Sequence, residues 1–182
     1  MGSQEEVANR MSDDLSLRLG GTVKVKLFSI QNYPGQVKTM PGLSLDHLTL
    51  PAGGEISTYE TEPGLLEFDP HSSEIIQKTF STTVFRSLCP VTGQPDLASV
   101  MINYKGRAIS PEGLLKYLVS YRCHKGFHEQ CVEQIYHDMR TVFQPELLEV
   151  YACFTRRGGI DINPFRSSVR EQPDEVIREM RQ

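Results

Sequence analysis

A chain of 182 residues, 38% hydrophobic and 23% charged with a net charge of −4, has the balance of a folded globular protein with core enough for one full domain. The excess of Asp and Glu (23) over Lys and Arg (19) argues against the basic footprint of a nucleic-acid binder. The opening "MGSQEEVANRM" has no apolar run, and no stretch approaches the roughly 18 apolar residues of a membrane span, so no signal peptide and no membrane partner is expected and the chain is placed in the cytoplasm. Four cysteines, Cys89, Cys123, Cys131 and Cys153, show no CxxC spacing and read as free thiols rather than as disulfides or a metal cage.

In chain order, Val7, Met11, Leu15 and Leu19 recur four apart among acidic residues, which predicts an amphipathic helix ended by Gly20 and Gly21. "TVKVKLFSI" alternates Val23, Val25 and Leu27 with Lys24 and Lys26, the period of a half-buried strand. Residues 31 to 42 predict a loop, "LSLDHLTL" a short strand, and 51 to 73 a linker or long surface loop. "KTFSTTVFRSL" and "ASVMINYKG" predict two strands. Ser110, Pro111 and Glu112 open a helix through "GLLKYLVSYR", and Phe127, Cys131, Ile135, Met139 and Val142 mark a second, closed by Pro145. "LLEVYACFTR" and "GIDINPF" finish as strands around the paired glycines 158 and 159.

The order strand, strand, helix, helix, strand, strand defines an α+β unit, an antiparallel four-stranded sheet with two antiparallel helices on one face. "VANRMSDDL", "TVKVKLF" and "GLSLDHL" echo "CVEQIYHDM", "LLEVYACF" and "GIDINPF", so residues 1–63 read as a partial first repeat with linker, 64–168 as the main unit and 169–182 as a charged tail, a short helix or disordered. One and a half such units leave open strand edges, which predicts a partner chain covering them.

Three groups could carry chemistry. Cys89 ends a strand at a turn-forming run, "CPVTGQPD", with Asp96 seven residues on: either a nucleophile with an acid in reach, or a core cysteine before a turn. His128 and Glu129 both reach the first turn of a helix, where a glutamate can accept the paired N–H donors of an amino-pyrimidine edge. Equally, they are a helix-start acid and a surface histidine. Arg156, Arg157, Gly158 and Gly159 could grip a phosphate or form a solvated hairpin. HEQC is not HExxH, and no glycine-rich nucleotide loop occurs, so no metal is expected.

Together, "SLCPVTGQPD", "YLVSYRCHKGFHEQCVEQIYHDM" and "YACFTRRGGIDINPFRS" resemble the 7-cyano-7-deazaguanine reductases, NADPH-dependent nitrile reductases of queuosine biosynthesis, over residues 79 to 168. The resemblance implies a tunnelling fold assembled into homo-oligomers, with NADPH as co-substrate and a 7-deazaguanine as substrate. It implies that Cys89 adds to the nitrile as a thioimide, that Asp96 donates the proton, that His128 and Glu129 hold the base, and that Arg157 and Gly158 contact the cofactor. Where short members carry a Glu-Ser-Lys-Ser-type motif at the start of the first helix, this chain has Ser110-Pro111-Glu112-Gly113. In two-repeat members that motif belongs to the first repeat, so the chain is expected to be the C-terminal portion of one, its motif upstream of residue 1. The alternatives are a tunnelling-fold purine-binding or assembly module without turnover, and an amidine-forming relative using ammonia in place of hydride.

Overall fold

The computed structural model describes residues 2–29, 37–50 and 54–182 and divides into two compact units, Met1–Gly35 and Gln36–Gln182. In the first, helix α1 spans Gln4–Leu19. Ser3 caps it by accepting from the Glu6 amide, and the Glu6 carboxylate accepts in turn from the Ser3 amide, a reciprocal box that supplies partners for orphan helix-end donors. No residue of α1 is buried. "TVKVKLFSI" forms no strand within its described residues 22–29. There the Val23 backbone hydrogen-bonds the hydroxyls of Ser12 and Ser16 instead, since an isolated alternating segment has no neighbouring strand to pair with.

The second unit is built on a five-stranded sheet in the order β1 (Leu43–Ser44), β2 (Ile75–Leu88), β3 (Pro95–Arg107), β4 (Leu147–Phe154) and β5 (Phe165–Ser167). Strands β2 to β5 form an antiparallel four, and β1 adds a two-residue parallel pairing at the β2 edge; the last strand is not the expected "GIDINPF" but Phe165–Ser167, which starts at that segment's final residue because Gly159 and Ile160 belong to the turn after Arg157. Of the predicted "LSLDHLTL" strand only Leu43 and Ser44 pair. Asp46 turns instead to a bulge in β2, its carboxylate accepting from the Thr82 hydroxyl at 2.5 Å and from the Thr83 amide and hydroxyl at 2.9 and 2.7 Å. Of the expected loop at 31 to 42, residues 31 to 36 lie outside the described residues, as do 51 to 53 of the expected linker, which farther on holds a 3₁₀ turn at Pro63–Leu65.

Helix α2 (Pro111–Ser120) starts as its sequence predicts, with Pro111 in the first turn and the Ser110 hydroxyl accepting from the Gly113 amide at 3.1 Å. Helix α3 (His128–Phe143) buries Cys131, Ile135 and Met139, the four-apart stripe, against the sheet. Along β3, Ala98, Val100, Ile102 and Tyr104 alternate toward the helices, so one face of the sheet and both helices enclose a single core.

The opposite face carries a smaller apolar cluster of Met40, Tyr151, Cys153 and Ile177. Ile177 belongs to the tail, which is neither helical nor detached. The Ile177 amide donates to the Tyr151 hydroxyl at 3.2 Å, and the Gln182 side chain donates to Phe154 O at 3.0 Å and Asn163 Oδ1 at 2.6 Å. Beside it Glu149, 1% exposed, accepts from Arg170 (Nε 2.5 Å, Nη2 2.7 Å), Asn103 (2.8 Å) and Ser167 (3.0 Å). Burial raises the Glu149 pKa, but the hydrogen bonds from Arg170, Asn103 and Ser167 outweigh it and hold the carboxyl below its ordinary 4.5.

A depressed folded pKa contributes stability at neutral pH that fades as pH falls through the folded value. Arg170→Ala leaves the buried carboxylate short of its charge partner and is expected to cost about 3 kcal/mol at neutral pH. The gap from wild type in urea midpoint should narrow as pH falls below the usual glutamate range. A gap independent of pH would show that Arg170 acts through packing alone.

Candidate active site

Strands β2 and β3 form a hairpin whose register pairs Ser87 with Asp96 and Leu88 with Pro95, leaving Cys89–Gln94 as its loop. The loop closes on itself: the Cys89 amide donates to Gln94 O at 2.8 Å and the Gly93 amide to Cys89 O at 2.9 Å. Gly93, at φ 71°, supplies the left-handed turn that a side chain would disfavour. A second tie joins β2 to the segment that enters α3, through Leu88 N to His124 O at 2.8 Å and Gly126 N to Leu88 O at 3.2 Å. Cys89 therefore stands beside the first turn of α3, although 39 positions separate it from His128 in sequence.

Cys89 is half-buried. Hydrogen bonds to its sulfur from the Thr92 hydroxyl, then from the Thr92 and Val91 amides, push the thiol below its ordinary 9.0, and the Arg157 charge adds a smaller pull in the same direction. The remaining cysteines are also free. Burial pushes Cys131 up to about 11 and Cys153 up to about 12, so these two behave as core residues.

Asp96 lies on β3, 2% exposed, rather than in the turn. One oxygen, Oδ1, accepts from Arg157 Nε at 3.0 Å and from Arg157 Nη2; the other, Oδ2, is 3.3 Å from His128 Nε2. His128 is buried rather than on the surface, its ring stacked flat on Phe154 at 4.0 Å between centroids, and its Nδ1 has no protein partner. Glu129 is exposed beside it. Cys89, Asp96, Phe127, His128, Glu129 and Arg157 line one cleft of about 250 Å³, with Pro90 and Ile162 completing the wall.

Gly158 does not line that cleft. It and Gly159, at φ 56° and 82°, form a two-residue hairpin turn closed by Arg157 N to Ile160 O at 3.1 Å and Ile160 N to Arg157 O at 2.9 Å. Arg156 and Arg157 do not converge on one point: Arg156 pairs with Asp161 at 2.8 Å, while Arg157 donates Nη1 to Gln94 Oε1 at 2.7 Å besides holding Asp96. Ser110, Pro111, Glu112 and Gly113 form the α2 start and do not line the cleft either. Among the described residues no group of three or more His, Cys, Asp or Glu could hold a metal ion.

Residue-by-residue reading missed Gln94, Thr92, Phe127 and Phe154. Gln94 and Thr92 stood inside the cysteine loop and Phe127 directly before the histidine, so their neighbours were the available signal. Phe154 had none, since its contact with His128 exists only after β4 and α3 pack together.

An acidified thiol, a clamped carboxylate and a buried histidine lie together at one end of the sheet of an α+β protein, in a cleft of the kind that suits a small molecule. Residues 95–173 match the family described as QueF-like protein. It is similar to the NADPH-dependent 7-cyano-7-deazaguanine reductase of Bordetella parapertussis, 42% identical over 180 residues that cover 98% of this chain and 63% of that protein. The protein of the same name from Burkholderia mallei is 42% identical over 181 residues, covering 99% and 64%. The chain thus spans less than two thirds of the length of these relatives. A solved structure, the archaeosine synthase QueF-Like in the apo form, matches with a TM-score of 0.46 at 18% identity over 54% of this chain and 96% of that one.

Thr92→Val is nearly isosteric and removes only the hydroxyl aimed at Cys89. It is expected to raise the pH midpoint of the thiolate ultraviolet absorbance toward that of an ordinary cysteine. A midpoint equal to wild type would leave the loop amides and the Arg157 charge as the sources of the acidity.

Proposed function

We propose that this chain carries the catalytic unit of an NADPH-dependent nitrile reductase that converts 7-cyano-7-deazaguanine to 7-aminomethyl-7-deazaguanine in queuosine biosynthesis. The observation that carries this reading is the acidified Cys89 thiol opening into the same cleft as a buried Asp96. A nitrile carbon needs a soft nucleophile, and its nitrogen needs a proton as negative charge develops there. In the proposed step a C–S bond forms between Cys89 and the nitrile carbon and one C–N π bond breaks. The thiol proton passes by way of Asp96 to the nitrogen, giving a covalent thioimide with no change in net charge. His128, held by Asp96 and Phe154, and Glu129 at the open side present acceptors and donors for the edge of a deazaguanine, and the exposed Phe127 ring offers it a flat surface.

NADPH, in the names of the relatives, would supply two hydrides, each matched by a proton to nitrogen: one to the thioimide carbon, after which the C–S bond breaks, Cys89 leaves as the thiol and an imine remains, and one to the imine carbon to give the amine. Arg157 and Gly158 fit a role in holding it. A guanidinium has five N–H donors, of which Arg157 directs three toward Asp96 and Gln94, leaving two at a side chain 30% exposed. A Cβ at Gly158 or Gly159 would meet nothing within 4 Å, so the turn backbone is open to approach.

The reading extends to assembly. Strand β2 is 14 residues long; β1 pairs with two of them, and Asp46, His124 and Gly126 hold Thr83 and Leu88 farther along, so the start of the strand, before Thr79, is the stretch of edge that copies of the chain joining in a homo-oligomer would cover. Residues 1–63, with α1, would be the remainder of a first repeat ahead of the catalytic unit at 64–168. Four free cysteines accord with a cytoplasmic setting. The second reading, a purine-binding or assembly module without turnover, is favoured by Ser110-Pro111-Glu112-Gly113, which serves here as a helix cap and supplies nothing to the cleft.

Incubation with 7-cyano-7-deazaguanine should produce a thioimide absorbance and a mass increment on the Cys89 peptide that Cys89→Ala abolishes. Asp96→Asn should slow its formation by roughly 100-fold or more, the usual scale for removing a proton-transfer group. Folded protein with an intact thiol that gives no adduct at high substrate would reject the reductase. Binding without NADPH oxidation, even when a segment carrying the Glu-Ser-Lys-Ser-type motif is supplied, would place this chain with the second reading.

A further inference from the structure

A thiolate at Cys89 and a carboxylate at Asp96 lining one small cleft repel one another, and without compensation one of the two tends to keep its proton. Arg157 stands where compensation is needed. Two of its nitrogens converge on Asp96 Oδ1, so the carboxylate is held against rotation and Oδ2 stays turned to His128. Gln94 connects the two reactive groups physically: its backbone carbonyl accepts from the Cys89 amide at 2.8 Å, and its side-chain oxygen accepts from Arg157 Nη1 at 2.7 Å. From the other side the Gly158–Gly159 turn fixes the Arg157 backbone.

We propose that Arg157, steadied by Gln94, is a positioning residue that neutralises and orients Asp96 so that Cys89 can give up its proton without leaving two uncompensated anions in the cleft. This rests on reading Cys89 as the nucleophile, and it gives Arg157 a task independent of any cofactor. The other titratable groups facing the pair are His128 and Glu129 at the start of α3 and Cys131 just beyond them, and Cys131 remains a thiol well above neutral pH. Arg156 does not substitute, because its guanidinium pairs with Asp161.

The test is the pH dependence of Cys89 alkylation by iodoacetamide in the substrate-free protein, followed by mass spectrometry of the Cys89 peptide so that the exposed Cys123 does not interfere. Arg157→Ala should move the midpoint up by about one pH unit, because the thiolate loses a cation and faces an uncompensated anion. Arg157→Lys, which keeps the charge, should recover most of the shift. In an Asp96→Asn background the Arg157→Ala shift should shrink to less than half, because the anion to be compensated is gone. Gln94→Ala, which leaves the charge in place but unties it, should move the midpoint up by a smaller amount, and it decides the question if Arg157→Ala does not fold. An unchanged midpoint in folded Arg157→Ala, or a shift of equal size with and without Asp96, would overturn the proposal. Since the titration needs no nitrile, its failure leaves the reductase reading standing, whereas a missing thioimide with the expected shifts would reject the reductase and keep the clamp.

Discussion

Burying the carboxylate of Asp96 is the constraint around which the reactive end of the sheet is organised. A carboxylate 2% exposed must find cationic or hydrogen-bonding partners, because leaving it unpaired inside the protein costs several kcal/mol. It recruits Arg157 from the hairpin beyond β4 and His128 from the start of α3, and each recruited side chain is then held elsewhere as well. Arg157 is tied to Gln94, and His128 lies flat on Phe154. Satisfying one buried charge therefore brings two side chains from other elements, Arg157 and His128, into the wall of the cleft.

Backbone register makes that recruitment possible. Ala98 pairs with Phe154 in the β3–β4 ladder, and the Thr155 amide donates to Leu97 O at 2.9 Å, so the residue two before Ala98 and the residues just after Phe154 arrive at the same end of the sheet. Phe154 points to the helix side, where α3 begins, and offers its ring to His128. The tie from Leu88 to His124 and Gly126 brings the cysteine loop to the same corner. Three stretches widely separated in sequence meet through backbone hydrogen bonds, which leaves the side chains free for chemistry.

How much of this is legible in the sequence depends on whether a feature is local. Helix α1 is readable from its four-apart Val7, Met11, Leu15 and Leu19 and the glycines that end it, and the start of α2 from Ser110 and Pro111, because each signal lies within a few residues. The long strands β2 and β3 were readable from their apolar and β-branched runs, and the turn at 158 and 159 from its two glycines. The segment 22–29 has as clean an alternation as any strand yet forms none, because alternation describes a surface and pairing needs a neighbour. The tail reads as charged because Val176, Ile177 and Met180 are its few apolar residues after Val169 and show no sustained period. The burial of Ile177 and Glu179 depends on the opposite sheet face, where Tyr151 and Cys153 lie. Cys89 and Asp96 were visible as a pair, but the ion pair between Asp96 and Arg157 spans 61 positions and follows only from the ladder.

The thiol and the acid also draw on separate sources, which bears on how the cleft can work. Thr92 and the loop amides acidify Cys89 through contacts within four residues, so that part of its reactivity is a property of a closed hairpin loop. Asp96 is oriented by groups from two other elements, so its geometry depends on the packed unit. Gln94 is where the two systems meet, its backbone closing the thiol loop and its side chain holding the acid's counter-ion. A local distortion of the loop would then disturb both groups together, whereas loosening of α3 or of the β4–β5 hairpin would release the acid first and leave an acidic thiol without its proton partner.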